Sequence, residues 1–296
     1  MFTELHSPLQ KIQHPHLSQL WVKRDDLIDP YISGNKWRKL KYILADALKQ
    51  GKTHLVTFGG AYSNHLVATA AAAARAGLRA SAFVRGEQVE NEMLLLCRLY
   101  GMELLFTDRE AYRDKQACFD QHFAQNPECY FIDEGGASAE AVMGCAEIIS
   151  ELPADTDHIF CAAGTGTTAA GLLRGISNAG LRTRLHVISV LKGGDFLLGD
   201  IEKYAKSKDQ LILHTNYHFG GYAKTRPELL NFMQEFSART GILTDPVYTA
   251  KMFYALDDLA RQDYFHRDEK IIALHTGGLL GILGMKDKLF KTLNRD

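Results

Sequence analysis

Short runs of β-branched and apolar residues alternate with helical patterns along most of this 296-residue chain. Helical patterns follow several of these runs, including an alanine-rich segment that Gly77 ends and a segment at residues 90–100. Such alternation predicts an α/β fold, with twisted, mostly parallel sheets flanked by helices. The runs predicted to be strands are residues 53–58, 79–84, 103–106, 157–163, 184–191 and 270–275.

The chain is also long enough to divide into two lobes. Single hydrophobic cores stop growing at roughly 250–300 residues, and this chain reaches that size. In parallel sheets, ligands bind at the carboxyl ends of the strands. Glycine-rich turns follow three of the predicted strands, after Phe58, Ala163 and His275. We therefore expect the functional residues to lie on these turns.

The overall charge and the cysteines exclude several classes of function. The chain has 34 basic and 35 acidic residues, so its charge gives no reason to expect nucleic acid or an anionic membrane as a partner. Five cysteines without a CxxC pair predict neither a disulfide framework nor a zinc site, and we expect no bound metal. No uncharged apolar stretch reaches the ~18–20 residues of a membrane span. The first ten residues lack the features of a signal peptide, so we expect a cytoplasmic protein.

The segment SGNKWRKL at residues 33–40 contains a candidate nucleophile, Lys36. A lysine in so basic a segment usually lies on a solvated helix face. Here, however, the turn pair Gly34-Asn35 would place Lys36 in the first turn of a helix. There the helix dipole and two neighbouring cations would lower its pKa from about 10.4. A lower pKa leaves more of the neutral amine that attacks an aldehyde, although the local sequence leaves both interpretations open.

The turn after residue 58 ends in Ser63, Asn64 and His65 at the start of a helix. The hydroxyl of Ser63 and the backbone amides at this helix start could bind a carboxylate. The amide of Asn64 could form a hydrogen bond with a ring hydroxyl. A plain helix N-cap beside a packed histidine explains the same residues.

The turn after residue 163 interleaves glycines with threonines before a helix that we expect to begin at Ala169. Inward-pointing backbone N–H groups, threonine hydroxyls and the helix dipole would together form a phosphate site. No Gly-Lys-Ser/Thr follows, so this is not a Walker A loop. A dinucleotide turn would need an acidic residue about 20 positions later, where Arg184 and His186 stand instead. A purely structural turn is the remaining alternative. The residues concerned are Gly164, Thr165, Gly166, Thr167 and Thr168.

Three further candidates lie near the C-terminus: Tyr222, Tyr248 and Thr276. A single tyrosine usually belongs to the core or the rim of a protein. Thr276 follows a predicted strand and precedes a Gly-Gly turn, where its hydroxyl could meet a buried ring nitrogen. A simple turn residue would look the same.

In this order, the motifs KRDDL (23–27), SGNKxRKL (33–40) and GGxxSNH (59–65) resemble the family that holds 1-aminocyclopropane-1-carboxylate (ACC) deaminase and D-cysteine desulfhydrase. That family belongs to the tryptophan-synthase-β-like enzymes, which use pyridoxal 5'-phosphate (PLP). The resemblance covers residues 21–278. It implies a small amino-acid substrate, a homodimer, and PLP between two unequal lobes. We expect residues 49–143 to form the smaller lobe, inserted into a larger one made of residues 1–48 and 144–296.

The resemblance also implies roles for individual residues. Lys36 would form the Schiff base with PLP, Asn64 would contact the ring hydroxyl, and Gly164 through Thr168 would hold the phosphate. The substrate would meet Ser63 and His65. The remaining implied residues are the catalytic tyrosines Tyr222 and Tyr248 and the cofactor contacts Thr249 and Thr276.

Thr249 differs from the residue that ACC deaminases carry at the same position. Those enzymes have a glutamate there, which contacts the pyridine nitrogen, whereas threonine is typical of the desulfhydrase branch. A hydroxyl leaves the ring less electron-withdrawing, which suffices for β-elimination of a thiolate. We therefore predict α,β-elimination that yields pyruvate, ammonia and sulfide, with the amine of Lys36 as the base.

Other departures leave the substrate open. Asp133 stands where the family usually has proline, and Phe219 replaces a tyrosine before Gly220. ACC deamination to 2-oxobutyrate and ammonia is therefore the first alternative. A non-catalytic PLP-binding protein and a dinucleotide-dependent oxidoreductase are the others.

Overall fold

The computed structural model describes residues 5–205 and 208–293. Its strands are β1 (Leu9–Lys11), β2 (Leu20–Lys23), β3 (His54–Gly60), β4 (Arg79–Arg85), β5 (Glu103–Thr107), β6 (Cys129–Ile132), β7 (His158–Ala163), β8 (Arg184–Ser189), β9 (Leu211–His214) and β10 (Ile271–Leu274). Its α-helices are α1 (Asn35–Lys49), α2 (Asn64–Ala76), α3 (Glu92–Leu99), α4 (Lys115–Phe123), α5 (Ala139–Ala146), α6 (Thr167–Asn178), α7 (Leu197–Glu202), α8 (Pro227–Thr240), α9 (Thr249–Arg261) and α10 (Lys286–Leu293).

The strands form two sheets. The larger sheet has six strands in the order β1-β2-β10-β7-β8-β9, and within the described residues β1 is its one antiparallel member. The smaller sheet has the order β5-β4-β3-β6 and is parallel throughout. The predicted α/β fold with mostly parallel sheets flanked by helices is therefore confirmed.

All six predicted strands are present, with ends that differ by one or two residues. The alanine-rich helix α2 ends at Ala76, and Gly77 adopts the left-handed conformation (φ 67°) that stops it. Helix α6 begins at Thr167, two residues before the predicted start. The prediction omitted β1, β2, β6 and β9, which have only three or four residues each. Runs of this length contain too few residues for their periodicity to be recognised.

Helices cover the larger sheet on both faces. Phe160 and Ala162 of β7 face α8 and α9, where they pack in one apolar cluster with Phe236. Ile159 and Cys161 point the other way and pack against α6 in a second cluster. Because both faces are buried there, the central strands β7 and β10 consist of apolar residues apart from His158.

The smaller sheet is also covered on both faces. Leu55 and Ala82 pack with apolar residues of α1 and α2. Phe58 and Phe83 face the other side, where their rings stack with centroids 4.9 Å apart near the aromatic residues of α4. This sheet uses only residues 54–132, whereas the larger sheet uses strands from both ends of the chain. The lobe boundaries near residues 48 and 143 stay a prediction.

A search of the described helices finds none that combines the length and the apolar character needed to cross a membrane. All five cysteines are buried free thiols. Burial raises the pKa of Cys97 to about 12, so this thiol stays protonated at neutral pH.

A buried ion-pair network fixes α1 against the larger sheet. The guanidinium of Arg38 is fully buried and donates to both carboxylate oxygens of Asp25, at 2.9 and 2.7 Å. Arg38 also bonds to Glu151, which pairs with Lys23 at 2.8 Å. These carboxylates keep the pKa of Arg38 above its usual value despite burial. The first turns of α1 are therefore held to β2 and to the segment after α5.

We predict that Arg38→Met lowers the free energy of unfolding by about 3–5 kcal/mol, because it leaves the buried carboxylate of Asp25 without its cation. Urea unfolding measures this loss. The control is Arg79→Met, which removes an exposed pair with Glu128 and should cost about 0–1 kcal/mol. Equal losses in the two variants would contradict the structural role of the network.

Candidate functional site

The glycine-rich turns that follow β3, β7 and β10 meet at the first turn of α1. A Cβ atom added to Gly34 would lie 1.8 Å from the carbonyl oxygen of Thr276, so the two backbones are in direct contact. Gly34 itself has a φ of 60°, which favours glycine. On the opposite side of the Thr276 turn, the side-chain amide of Asn64 donates to the oxygen of Gly278 at 3.2 Å.

Asn35 connects three of the predicted site residues. Its backbone N–H donates to the oxygen of Thr276 at 3.2 Å, and its side-chain amide donates to the hydroxyl of Thr168 at 2.9 Å. Its side-chain oxygen accepts a hydrogen bond from the amine of Lys36 at 3.2 Å. From the sequence, Asn35 was predicted only to be a turn residue. Its position between Gly34 and the candidate lysine is the one sequence feature that indicates a role in the site.

The amine of Lys36 has a pKa close to neutral pH. Burial and, to a smaller extent, the positive charge of Lys39 lower its pKa from 10.5 to about 7, while Asp245 acts in the opposite direction. A lowered pKa was predicted from the sequence, but the predicted cause was the helix dipole with neighbouring cations. Burial is the larger cause, and the charge of Arg38 is already compensated by Asp25 and Glu151.

The turn after β7 has the geometry of an anion site. Gly166 has a φ of 73°, and α6 begins at the next residue with no side chain capping its N-terminus. The hydroxyls of Thr165 and Thr167 lie 3.1 Å apart beside the uncapped N–H groups. A Cβ atom at Gly164 would lie 3.2 Å from the ring of Tyr248, so this ring lies against the turn. Backbone amides, hydroxyls and a helix N-terminus form a donor set that suits a phosphate.

The turn after β3 leaves a hydroxyl available. Ser63 is the N-cap residue of α2, yet its side chain makes no capping hydrogen bond. Its hydroxyl is half-buried and lies next in sequence to Asn64. A serine at an N-cap usually satisfies a backbone N–H with its side chain. Since the hydroxyl of Ser63 is not used as a cap, it is available to a ligand.

His65 is turned into the smaller sheet. The hydroxyl of Thr57 donates to the oxygen of Ile132 at 3.0 Å, so it accepts the 2.8 Å hydrogen bond from Nε2 of His65. The ring therefore carries its proton on Nε2, and Nδ1 is a buried acceptor without a partner among the described residues. Burial, with the charges of Lys36 and Lys39, lowers the pKa of His65 well below its usual value. The imidazole is thus neutral.

Two tyrosines flank the turn after β7. The rings of Tyr222 and Tyr248 are edge to face, with centroids 6.1 Å apart and an interplanar angle of 74°. Tyr248 is half-buried, whereas Tyr222 is 47% exposed and forms the outer rim. Burial raises the pKa of both phenols. Both are therefore protonated at neutral pH.

Thr249 and Thr276 are both buried. The hydroxyl of Thr249 donates to a carboxylate oxygen of Asp245 at 2.8 Å and accepts from the backbone N–H of Asp245. The same carboxylate accepts the backbone N–H groups of residues 247–249 and so fixes the start of α9. Asp245 was not identified from the sequence, although an aspartate shortly before a helix is a common N-terminal signal.

These contacts join almost all of the predicted residues into one site. Lys36, Thr168 and Thr276 meet through Asn35, while Asn64 contacts the turn that follows Thr276. Asp245 lies about 4.0 Å from the Cβ position of Gly278. The amine of Lys36, whose pKa is about 7, is thus linked through Asn35 to the start of α6, and Tyr248 lies against the turn before that helix. This set can hold a phosphate ester that carries an aldehyde.

Comparisons with known proteins agree with this chemistry. A family model described as pyridoxal-phosphate dependent enzyme matches residues 3–277. A Thermotoga maritima protein, provisionally named 1-aminocyclopropane-1-carboxylate deaminase, is 33% identical over an alignment of 303 positions that covers 95% of each chain. The mitochondrial bifunctional D-cysteine desulfhydrase/1-aminocyclopropane-1-carboxylate deaminase of Arabidopsis thaliana is 30% identical over 93% of this chain and 76% of its own. A crystal structure described as an ACC deaminase homologue matches with a TM-score of 0.85 and 31% identity, over 99% of this chain and 95% of the other.

We predict that Gly34→Ala destabilises the protein more than Gly51→Ala. Both glycines have a positive φ, 60° and 68°, so each alanine pays about 1–2 kcal/mol of backbone strain. Gly51 has no atom within 4 Å of its Cβ position, whereas Gly34 meets Thr276 and should lose about 1–3 kcal/mol more. Urea unfolding of the two variants provides the comparison, and equal losses would mean that the Gly34–Thr276 contact relaxes freely.

Proposed function

Because the chain belongs to the family of pyridoxal-phosphate-dependent enzymes, we propose that it is a lyase that removes a β-substituent from a small amino acid. The proposed reaction is that of D-cysteine desulfhydrase, with pyruvate, ammonia and sulfide as products. The observation that carries the proposal is the half-buried amine of Lys36, whose pKa is about 7 and which faces the anion site through Asn35.

The residues of the site fit PLP. Lys36 would hold the aldehyde carbon, and the backbone and hydroxyls of Gly164 through Thr168 would hold the phosphate. Asn64 would contact the ring hydroxyl, and Thr249 and Thr276 would contact the ring. The turn at Gly164 is closed by Tyr248, so that even a Cβ atom there would press on the tyrosine ring. When bound, PLP withdraws electrons from the Cα atom of the substrate and so makes its proton easier to remove.

The amino group of the substrate would displace Lys36 from the aldehyde carbon, and the released amine of Lys36 would then act as the base. Above a pH of about 7 its amine is largely neutral and can accept the Cα proton. The electron pair of the broken Cα–H bond forms the Cα–Cβ double bond, and the Cβ–S bond breaks to release thiolate. Water hydrolyses the remaining three-carbon product to pyruvate and ammonia. Asn35 holds the amine in place through the 3.2 Å hydrogen bond to its side-chain oxygen.

Ser63 and the two tyrosines would contact opposite ends of the substrate, its carboxylate and its leaving group. The hydroxyl of Ser63 and the N–H groups at the start of α2 would bind the substrate carboxylate, with His65 behind them. Tyr248 and Tyr222 would face the leaving group. Because burial raises the pKa of both phenols, both stay protonated, and their O–H groups would donate hydrogen bonds to the departing thiolate.

A specific observation favours ACC deamination as the second candidate. The hydroxyl proton of Thr249 is already used in the hydrogen bond to Asp245. This hydroxyl could therefore only accept a hydrogen bond from the nitrogen of the cofactor ring. An acceptor at that position favours the protonated form of the nitrogen, and a protonated ring withdraws electrons more strongly. Ring opening of a cyclopropane benefits from such a sink.

The proposal also includes a homodimer and a cytoplasmic location, both expected from the sequence. Light scattering after gel filtration tests whether the protein is a homodimer.

We predict that the PLP-loaded protein releases pyruvate and sulfide from D-cysteine faster than it releases 2-oxobutyrate from ACC. A keto-acid assay over D- and L-amino acids and ACC measures both. Borohydride treatment followed by peptide mass spectrometry should place the reduced PLP adduct on Lys36, and Lys36→Ala should lose the adduct and the visible absorbance. An adduct on another lysine would refute the assignment, and faster release from ACC would favour the second candidate.

We predict that Ser63→Ala lowers kcat/KM by roughly 10–150-fold, mainly through KM, because a hydrogen bond to a charged group is worth about 1.5–3 kcal/mol. The thermal stability should hardly change, since the Ser63 hydroxyl caps no backbone N–H. Ser138→Ala is the matched control. Ser138 does cap its helix, accepting from Ala141 at 3.1 Å, so this variant should lose about 1 kcal/mol of stability and keep its KM. The reverse pattern would assign Ser63 a structural role.

A further inference from the structure

The loop that carries Tyr222 has an unfavourable backbone conformation. In the described part of the chain, three residues other than glycine have a positive φ, and two of them, Phe219 (54°) and Ala223 (53°), flank this loop. Gly220 and Gly221 between them also have positive φ values, of 100° and 120°. L-residues avoid this region, so the surrounding structure must hold the loop in place.

Lys251 of α9 supplies that restraint. Its ammonium group donates to the backbone oxygens of His218 and Gly221, both at 2.9 Å, and to the oxygen of Val190 at 3.4 Å. The side chain is fully buried. The three hydrogens of the ammonium are thus matched by three carbonyl acceptors. Asp245 opposes the effect of burial, which lowers the pKa of Lys251 to about 8, so the group is mostly charged at neutral pH.

The same ammonium joins the loop to the anion site. The N–H of Val190 donates to the oxygen of Ala163, the residue before the glycine-threonine turn. Lys251 lies two residues after Thr249 and three after Tyr248, on the helix whose start Asp245 fixes. One buried cation therefore connects the Tyr222 loop, the start of α9 and the edge of the anion site.

We propose that Lys251 is a positioning residue for the reaction: its ammonium, held by three main-chain carbonyls, keeps the Tyr222 loop in the conformation that places Tyr222 edge-on to Tyr248. This inference rests on the proposed function for the role of Tyr222, but the restraint on the loop does not. Lys251 is also a buried amine, yet its hydrogens are donated to carbonyls, so it is not the group that would react with the aldehyde.

Lys251→Met tests the restraint directly, since methionine keeps most of the apolar volume and leaves the three carbonyls without their donor. In the PLP-loaded protein, amide hydrogen exchange in peptides covering residues 216–226 should become at least about tenfold faster, because local opening is no longer opposed by the ammonium. Lys192→Met is the control. Lys192 is exposed, and its Cβ lies 3.6 Å from the Cβ position of Gly221, so its loss should leave exchange unchanged.

The kinetic arm separates positioning from general stability. Lys251→Met should lower kcat on the order of 10–100-fold through misplacement of Tyr222, and should have little further effect in a Tyr222→Phe background. In the Lys251→Ala variant, added ammonium or methylammonium ions should restore slow amide exchange and part of kcat. The same variant takes the place of Lys251→Met if that protein fails to fold. Unchanged exchange, a kcat loss that persists in full in Tyr222→Phe, or absence of rescue would each overturn the proposal. If the protein released no keto acid at all, the proposed function would fail while the exchange and rescue measurements still decided the role of Lys251.

Discussion

The contact between Gly34 and the carbonyl of Thr276 determines the geometry of the whole site. No side chain fits between the two backbones, so the start of α1 lies directly on the turn after β10. The next residue, Asn35, uses this proximity to bond the Thr276 oxygen, the Thr168 hydroxyl and the Lys36 amine. A reactive amine and an anion site from distant parts of the sequence are thereby held in one rigid arrangement, which is what catalysis at a bound group requires.

The site also shows three ways to accommodate a buried basic group. Arg38 stays charged because two carboxylates surround it, and a guanidinium cannot be deprotonated in a protein. Lys251 stays largely charged because three carbonyl dipoles accept its hydrogens. Among the described residues Lys36 has one amide oxygen as a hydrogen-bond acceptor and a second cation, Lys39, nearby, and its pKa falls to about 7. Compared with Arg38 and Lys251, Lys36 has the fewest acceptors, and this leaves its amine available as a nucleophile and base.

The sequence predicted the parts of the molecule that local patterns determine. Apolar runs of six or more residues predicted β3, β7 and β8, which the structure contains, and the glycine-rich turn at Gly164 through Thr168 was predicted to bind an anion, which stays a prediction. Asn35 and Lys251 were not predicted because their importance comes from contacts with a residue more than a hundred positions away or with backbone carbonyls that no motif displays. Asp245 bonds to residues 247–249, and its place shortly before a helix is a local signal that the prediction did not use. The neutral amine of Lys36 was predicted for partly the wrong reason, since burial depends on packing that the local sequence does not contain.

The two tyrosines bear on the choice between elimination and ring opening. ACC has no hydrogen on its Cα atom, so ring opening needs either a nucleophile or an acid at the ring carbons, whereas elimination from D-cysteine needs a base at Cα and releases a thiolate that leaves without prior protonation. Burial and mutual contact raise the pKa of Tyr248 well above its usual value, and that of Tyr222 is also raised. Phenols with raised pKa values are poor nucleophiles and weak acids, but their O–H groups can donate hydrogen bonds to a departing thiolate. Together with the amine of Lys36, whose pKa of about 7 suits a base, they fit elimination better than ring opening, and this pairing supports elimination more directly than the identity of residue 249 does.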